Sequence, residues 1–333
     1  MAQEDRPSKR PRTAADDAVR DILQHHEEFW LNDGNIVLVA RNIAFRVYCG
    51  LLVTQSTVFA DMFASSSPNS DETIEGCPVV HISDSPEDFA HLLRVLLPTT
   101  HRQFHREKGA PKRSFNEVFA VIRLAHKYNI EDVQRQALSS LREYTFNDNF
   151  AVWRDARDEP IPVDDACAIG AVNLARLLDV PEMLPIALYK CLGLGTCLFD
   201  GWRRRDGSIE YLSQDDIKRC FAASDELSAA HVSLVTNIYY PVPSDGCKDA
   251  SLCESYLQQI LLATLKYNPV EVADGSDVMA SSQHLITLEA GDYGLCAACE
   301  QELKDRDVRG REKIWNRFPQ IFDIVAKDWG KGV

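Results

Sequence analysis

Between Ile36 and Phe63 the spacing of apolar residues changes from two to three or four, and no other feature limits the fold so tightly. Ile36-Val37-Leu38-Val39 is followed, across Ala40-Arg41-Asn42, by Ile43, Phe45 and Val47 alternating with Ala44, Arg46 and Tyr48. That pattern predicts a hairpin with one buried face. Leu51, Leu52, Val58, Phe59, Met62 and Phe63 then recur at helical spacing, a polar stretch runs from Ser65 to Gly76, and Val79-Val80-His81-Ile82 predicts a third strand. Strands that enclose helices in this way place the chain in the α+β class.

Ser85-Pro86-Glu87-Asp88 supplies a capping hydroxyl, a proline at the first helical position and a carboxylate three residues past the cap. It predicts a helix with Phe89, Leu92, Leu93 and Leu96 inward, stopping at Pro98. Residues 98–116 carry Arg102, Arg106, Lys108, Lys112 and Arg113 against the single acid Glu107, and are expected to form a solvated loop. Val118, Val121, Ile122, Ala125 and Tyr128, then Val133, Ala137, Leu141 and Tyr144, form two helical stripes that close a first domain near residue 145.

Within this stretch, Asp33-Gly34-Asn35-Ile36-Val37-Leu38, Phe45-Arg46-Val47 leading into Leu51-Leu52, and Ser56-Thr57-Val58-Phe59-Ala60-Asp61-Met62-Phe63 together resemble the BTB (POZ) signature. Glu75-Gly76-Cys77-Pro78-Val79-Val80-His81-Ile82-Ser83-Asp84-Ser85 and the helix from Val118 to Lys127-Tyr128 resemble the expanded BTB group of mushroom-forming fungi. The resemblance implies a small β-sheet flanked by helices, followed by a mainly α-helical region. It also implies protein–protein interaction without catalysis: self-association, association with other BTB proteins, or binding to a cullin-type ubiquitin-ligase scaffold. Where many BTB domains carry His-Arg after the second strand, this chain has Tyr48-Cys49. The Tyr48 hydroxyl can bond Asp33 but brings no positive charge.

Beyond residue 145 the pattern is helical. Asp164 or Asp165 is expected to cap a helix with Cys167, Ala171, Leu174 and Leu178 inward, and Pro181 to introduce another through Leu184, Ala187, Leu188 and Cys191. Ser213 with Asp216 forms a second capping box, for a helix that reaches towards Ile238. After a helix ending near Tyr267, residues 268–282 are expected to be a loose loop, and Pro319 to restart a short helix carrying Phe322 and Val325. The expected divisions are a disordered basic tail at 1–17, a BTB domain at 18–145, a helical domain at 146–245 and a helical module at 246–333.

Chemistry-bearing motifs are few. No Gly-x-Ser-x-Gly elbow occurs, Gly193-Leu194-Gly195 lacks the third glycine of a dinucleotide turn, and Gly330-Lys331 has no phosphate-binding loop ahead of it. His25-His26-Glu27-Glu28 lacks a second His at metalloprotease spacing and is expected on a polar helix face. The chain is therefore not expected to be an enzyme. Thirty-six Lys and Arg against 50 Asp and Glu give a net charge of -14, which disfavours direct nucleic-acid contact. No apolar run approaches the roughly 20 residues of a membrane span, and the N-terminus lacks an apolar signal core. An intracellular, reducing location, nuclear or cytoplasmic, is expected. Lys9, Arg10 and Arg12 form a candidate import signal, which supports the alternative of a nuclear transcription-associated factor acting through protein contacts. Ala18, Ile22, Phe29 and Trp30 form an amphipathic stretch that either covers the domain's own core or meets a partner.

Cys49, Cys77, Cys167, Cys191, Cys197 and Cys220 lie in or beside apolar stretches and are expected to be small core residues. The other four, Cys247, Cys253, Cys296 and Cys299, are candidates for one structural zinc. Cys296-x2-Cys299 has knuckle spacing at a helix start. Cys247-x5-Cys253 is wider than the usual two to four residues, and Cys253 shares a helical stripe with Leu257, Ile260 and Leu261. His284 is the candidate replacement for Cys253.

Overall fold

The computed structural model describes residues 23–65, 72–97, 113–155 and 166–331. The basic tail with Lys9, Arg10 and Arg12, the positions Ala18 and Ile22, residues 98–112 of the basic insert, and the caps Asp164 and Asp165 lie outside the described residues. The fold is α+β. Two compact units divide the chain: Met1–Gln103 with Ala120–Arg135, and Phe104–Phe119 with Gln136–Val333. Among the described residues no helix is long and apolar enough to cross a membrane.

In the first unit, β1 (Gln24–Trp30), β2 (Ile36–Ala40), β3 (Ile43–Val47), β4 (Thr73–Ile74) and β5 (Cys77–Ile82) form one sheet in the order β1-β3-β2-β5-β4. The expected hairpin is β2–β3, antiparallel from Ile36 opposite Val47 to Ala40 opposite Ile43, and β5 runs parallel to β2. Both faces of the hairpin are buried, where alternation predicted one. Leu38, Phe45 and Val47 face the main core, while Val37, Val39 and Ala44 pack with Cys77, Val79, Leu23, Trp30 and Ile74. The flanking strands supply Trp30 and Ile74 and so cover a face that the hairpin alone would leave wet.

His25-His26-Glu27-Glu28 lies on β1 rather than on a helix. This edge strand runs parallel to β3, and His25 stacks on Trp30 with ring centroids 3.5 Å apart. Phe29 is buried in the unit's own core. Helices α1 (Cys49–Gln55) and α2 (Thr57–Ser65) follow the hairpin, and α3 (Pro86–Leu96) opens as expected, with the Ser85 hydroxyl accepting from the Asp88 amide. Helix α4 (Phe115–Lys127) delivers Tyr128, whose ring stacks on Phe59 at 4.2 Å and whose hydroxyl donates to Asp84. Ser56 Oγ donates to the Tyr128 carbonyl at 2.6 Å, satisfying a buried hydroxyl at the start of α2. The Tyr48 hydroxyl donates to Asp33 at 2.6 Å, the contact expected for this position.

The second unit is helical. After α5 (Glu131–Tyr144) come α6 (Phe150–Asp155), α7 (Cys167–Leu177) and α8 (Leu184–Leu192), which is entered through a 3-10 turn at Pro181–Met183. A short ribbon of β6 (Trp202–Arg203) and β7 (Ile209–Glu210) precedes α9 (Gln214–Ile238). Ser213 caps α9 as expected, and buried Asp216 also pairs with Arg176 and Arg219. Then follow α10 (Ala250–Tyr267), α11 (Pro269–Ala273), α12 (Gln283–Tyr293) and α13 (Ala297–Ile321). Residues 268–282 are structured rather than loose: Pro269 starts α11, and Val272, Val278 and Met279 are buried.

Pro319 does not restart a helix; it lies inside the last turn of α13. Its ring removes the N–H that would bond the Trp315 carbonyl, and the Trp329 indole donates to that carbonyl instead, at 3.1 Å. The broken bond is replaced and the helix continues. Of the six cysteines expected in cores, Cys77, Cys167, Cys191 and Cys220 are buried, Cys49 is half-buried and Cys197 is exposed. Cys197 belongs to a six-residue 3-10 segment whose buried side chain is Leu198, so it faces solvent.

Candidate metal centre

The sulfurs of Cys247, Cys253, Cys296 and Cys299 all lie within 4.8 Å of one another and could hold a metal ion. Two helix starts and one turn bring them together. Asp249 caps α10 by accepting from the Leu252 amide at 3.1 Å, which sets Cys253 on the buried side of the first turn. Gly294, at φ 76°, ends α12 in the left-handed conformation, and Leu295 N–H bonds the Ala290 carbonyl. The chain reverses there so that Cys296 caps α13 and Cys299 falls on its first turn. Both helix starts present the positive end of the peptide dipole to sulfur, which favours thiolates.

Cys247 comes from the turn Ser244–Cys247, closed by Cys247 N–H to the Ser244 carbonyl at 2.9 Å. Its wide separation from Cys253 is filled by the Asp249 cap and the first residues of α10. The same turn points the Ser244 amide at Cys299 Sγ, 3.4 Å away. Ser244 is the residue that sequence reasoning missed. Pro243-Ser244-Asp245-Gly246 carries the composition of a tight turn and could have located it.

Distances decide what the cluster can do. The Cys247 and Cys296 sulfurs are 3.7 Å apart, far beyond a disulfide bond of about 2.05 Å. Four sulfurs at about 2.3 Å around a tetrahedral zinc would stand about 3.8 Å from one another, which the Cys247–Cys296 separation matches and the 4.8 Å limit on the rest approaches. Cys253 is both the core residue and the metal-facing residue: 3 % exposed, stacked in line with Leu257 and Ile260, and within reach of the other sulfurs. His284 is exposed and not one of the group. The nearby Cys299 backbone amide, which bonds the Cys296 carbonyl, holds the Cys296 thiol below its ordinary pKa, while burial raises Cys299 and Cys253. Four thiolates leave no open position for a substrate, so the arrangement suits a structural ion rather than catalysis.

Lys9, Arg10 and Arg12 lie outside the described residues, so the structure gives no geometry for them. Comparison of the chain with protein-family models and with curated proteins finds no match.

Proposed function

We propose that this chain is a non-catalytic interaction adaptor of the BTB kind, whose C-terminal helices are held together by one structural zinc. The observation that carries the reading is the element order from β2 onward: hairpin, helix pair, a strand parallel to the first hairpin strand, a capped helix, then α4 and α5. That order follows the signature residues quoted above for the BTB resemblance, from Asp33 to Tyr128. The Tyr48–Asp33 bond takes the place of the charged contact of many BTB domains, so partner binding here does not depend on an imidazolium.

The partners proposed are a second copy, another BTB protein or a cullin-type scaffold. Sedimentation of the purified full chain at tens of micromolar, then titration with the N-terminal half of a cullin and with a second BTB domain, tests this. A dimer or a stable complex supports the reading. A monomer that binds neither refutes it.

Zinc is proposed over other ions because a tetrahedral set of four sulfurs suits it and requires no redox partner. Binding worth on the order of 10 kcal/mol would tie the Ser244–Cys247 turn to the starts of α10 and α13. A nuclear factor acting through protein contacts is the second reading, favoured by Lys9-Arg10-Pro11-Arg12. A fluorescent fusion that is nuclear, and becomes cytoplasmic when Lys9, Arg10 and Arg12 are changed to Ala, supports it; a fusion whose location does not change argues against it.

A further inference from the structure

Helices α9 and α13 pack side by side in the second unit and leave an open groove of about 800 Å3 along their outer surface. Its two walls differ sharply in character. The middle of the α9 wall is made of small side chains, Ala229, Ala230 and Ser233, with Ala229 and Ser233 exposed, between Glu226 and Asn237, so another backbone can approach it closely there. The α13 wall carries Arg309, Lys313 and Arg317, all exposed and four residues apart. At about 1.5 Å per residue these cations span about 12 Å along one face. Leu234 and Ile314 lie buried beneath, and Tyr240 and Val242 stand 55 % and 50 % exposed at one end.

A cationic stripe of this kind is not a consequence of composition, because the chain as a whole carries a net charge of -14. Its charges are only partly answered locally. Arg317 pairs with Glu226, Arg309 shares Glu302 with Arg306, and Lys313 pairs with no carboxylate among the described residues. Arg306 is committed to the fold, since it also donates to the carbonyls of Ile238, Tyr240 and Val242. Arg309, Lys313 and Arg317 are left facing the groove.

From the spacing and the charge we infer that this groove docks an acidic amphipathic helix of a partner protein. Carboxylates at every fourth position of such a helix would repeat at the same distance as Arg309, Lys313 and Arg317. Its apolar side chains would cover Tyr240 and Val242, and the small residues of α9 would admit its backbone. The proposal goes beyond the BTB reading, because it concerns the second unit and stands or falls without the first.

The test is fluorescence anisotropy on the full chain, with a labelled helical peptide of about 14 residues carrying Glu at every fourth position and Leu beside them. The same peptide with Lys in place of Glu is the control. The Glu peptide is expected to bind at least about tenfold more tightly than the Lys peptide and to weaken with added salt. Lys313→Glu should weaken it about tenfold, whereas Glu226→Gln, which frees Arg317, should strengthen it. Both positions are exposed, and unchanged thermal melts would show that neither variant acts through folding. Equal affinity for the two peptides, or no effect of Lys313→Glu, would overturn the proposal. Displacement of the peptide by a DNA duplex of equal charge at lower concentration would also overturn it, in favour of a nucleic-acid groove.

Discussion

Asp307 and Arg311 form an ion pair that is 0 % and 2 % exposed in the middle of α13, so water does not screen it. Arg311 Nη2 lies 2.7 Å from Asp307 Oδ2, Nε bonds both carboxylate oxygens at 3.1 and 3.2 Å, and Nη1 reaches the Met279 carbonyl at 3.4 Å. Asp307→Ala leaves the guanidinium buried with that distant carbonyl and the Phe150 ring, 6.0 Å away, but no carboxylate, and Arg311→Met strands the carboxylate. Each single change should cost about 3–5 kcal/mol, most of it the penalty for an unpaired buried charge. The double replacement Asp307→Leu with Arg311→Met removes both charges and refills the volume, so it should recover to within about 1 kcal/mol of the starting protein.

Urea unfolding followed by tryptophan fluorescence suits the purpose, since buried Trp315 lies one turn away on the same helix. With an m-value of about 3 kcal/mol/M the single variants should lose about 1 to 1.7 M in midpoint. The double variant should lose little. Singles that cost under about 1 kcal/mol, or a double variant as weak as the sum of the singles, would show that the pair does not hold α13 as argued.

Two further perturbations probe the same unit. A Cβ on Gly170 would lie 2.4 Å from Trp202 Cζ3 and 3.1 Å from Phe115 Cε1, so Gly170→Ala should destabilise by about 1–3 kcal/mol through overpacking, read as a lower urea midpoint. Burial raises the Glu289 carboxyl above its ordinary value, against the nearby Tyr239 and Thr264 hydroxyls that lower it, and Asp292 raises it further. The folded chain therefore holds the proton longer than the unfolded chain does, and stability falls as pH rises from about 4.5 through the folded value. Glu289→Gln removes that penalty. Its advantage in urea midpoint should be absent at low pH and appear as pH rises; an advantage that is the same at every pH would refute the assignment.

Sequence legibility followed how local each signal was. The hairpin, the Ser85 and Ser213 caps and the stripes of α4 and α5 rest on contacts within a few residues and could be read directly. Strand β1 could not be read, because its partner β3 lies almost twenty residues on and only one of its seven side chains, Phe29, is buried, too few to show alternation. Pro319 misled because the Trp329 indole replaces its missing hydrogen bond from outside the helix. At the metal centre, Cys296-x2-Cys299 was legible from helix-start spacing. Cys247-x5-Cys253 looked discordant because its length is set by the Asp249 cap and the start of α10, which lie between the two ligands.

The claim that the four sulfurs hold a zinc is tested most directly by metal analysis of the full chain purified without chelator. About one zinc per chain is expected, lost together with C-terminal protease resistance when Cys296 and Cys299 are both changed to Ser. Metal-free protein whose C-terminal helices resist protease as well as before would contradict it.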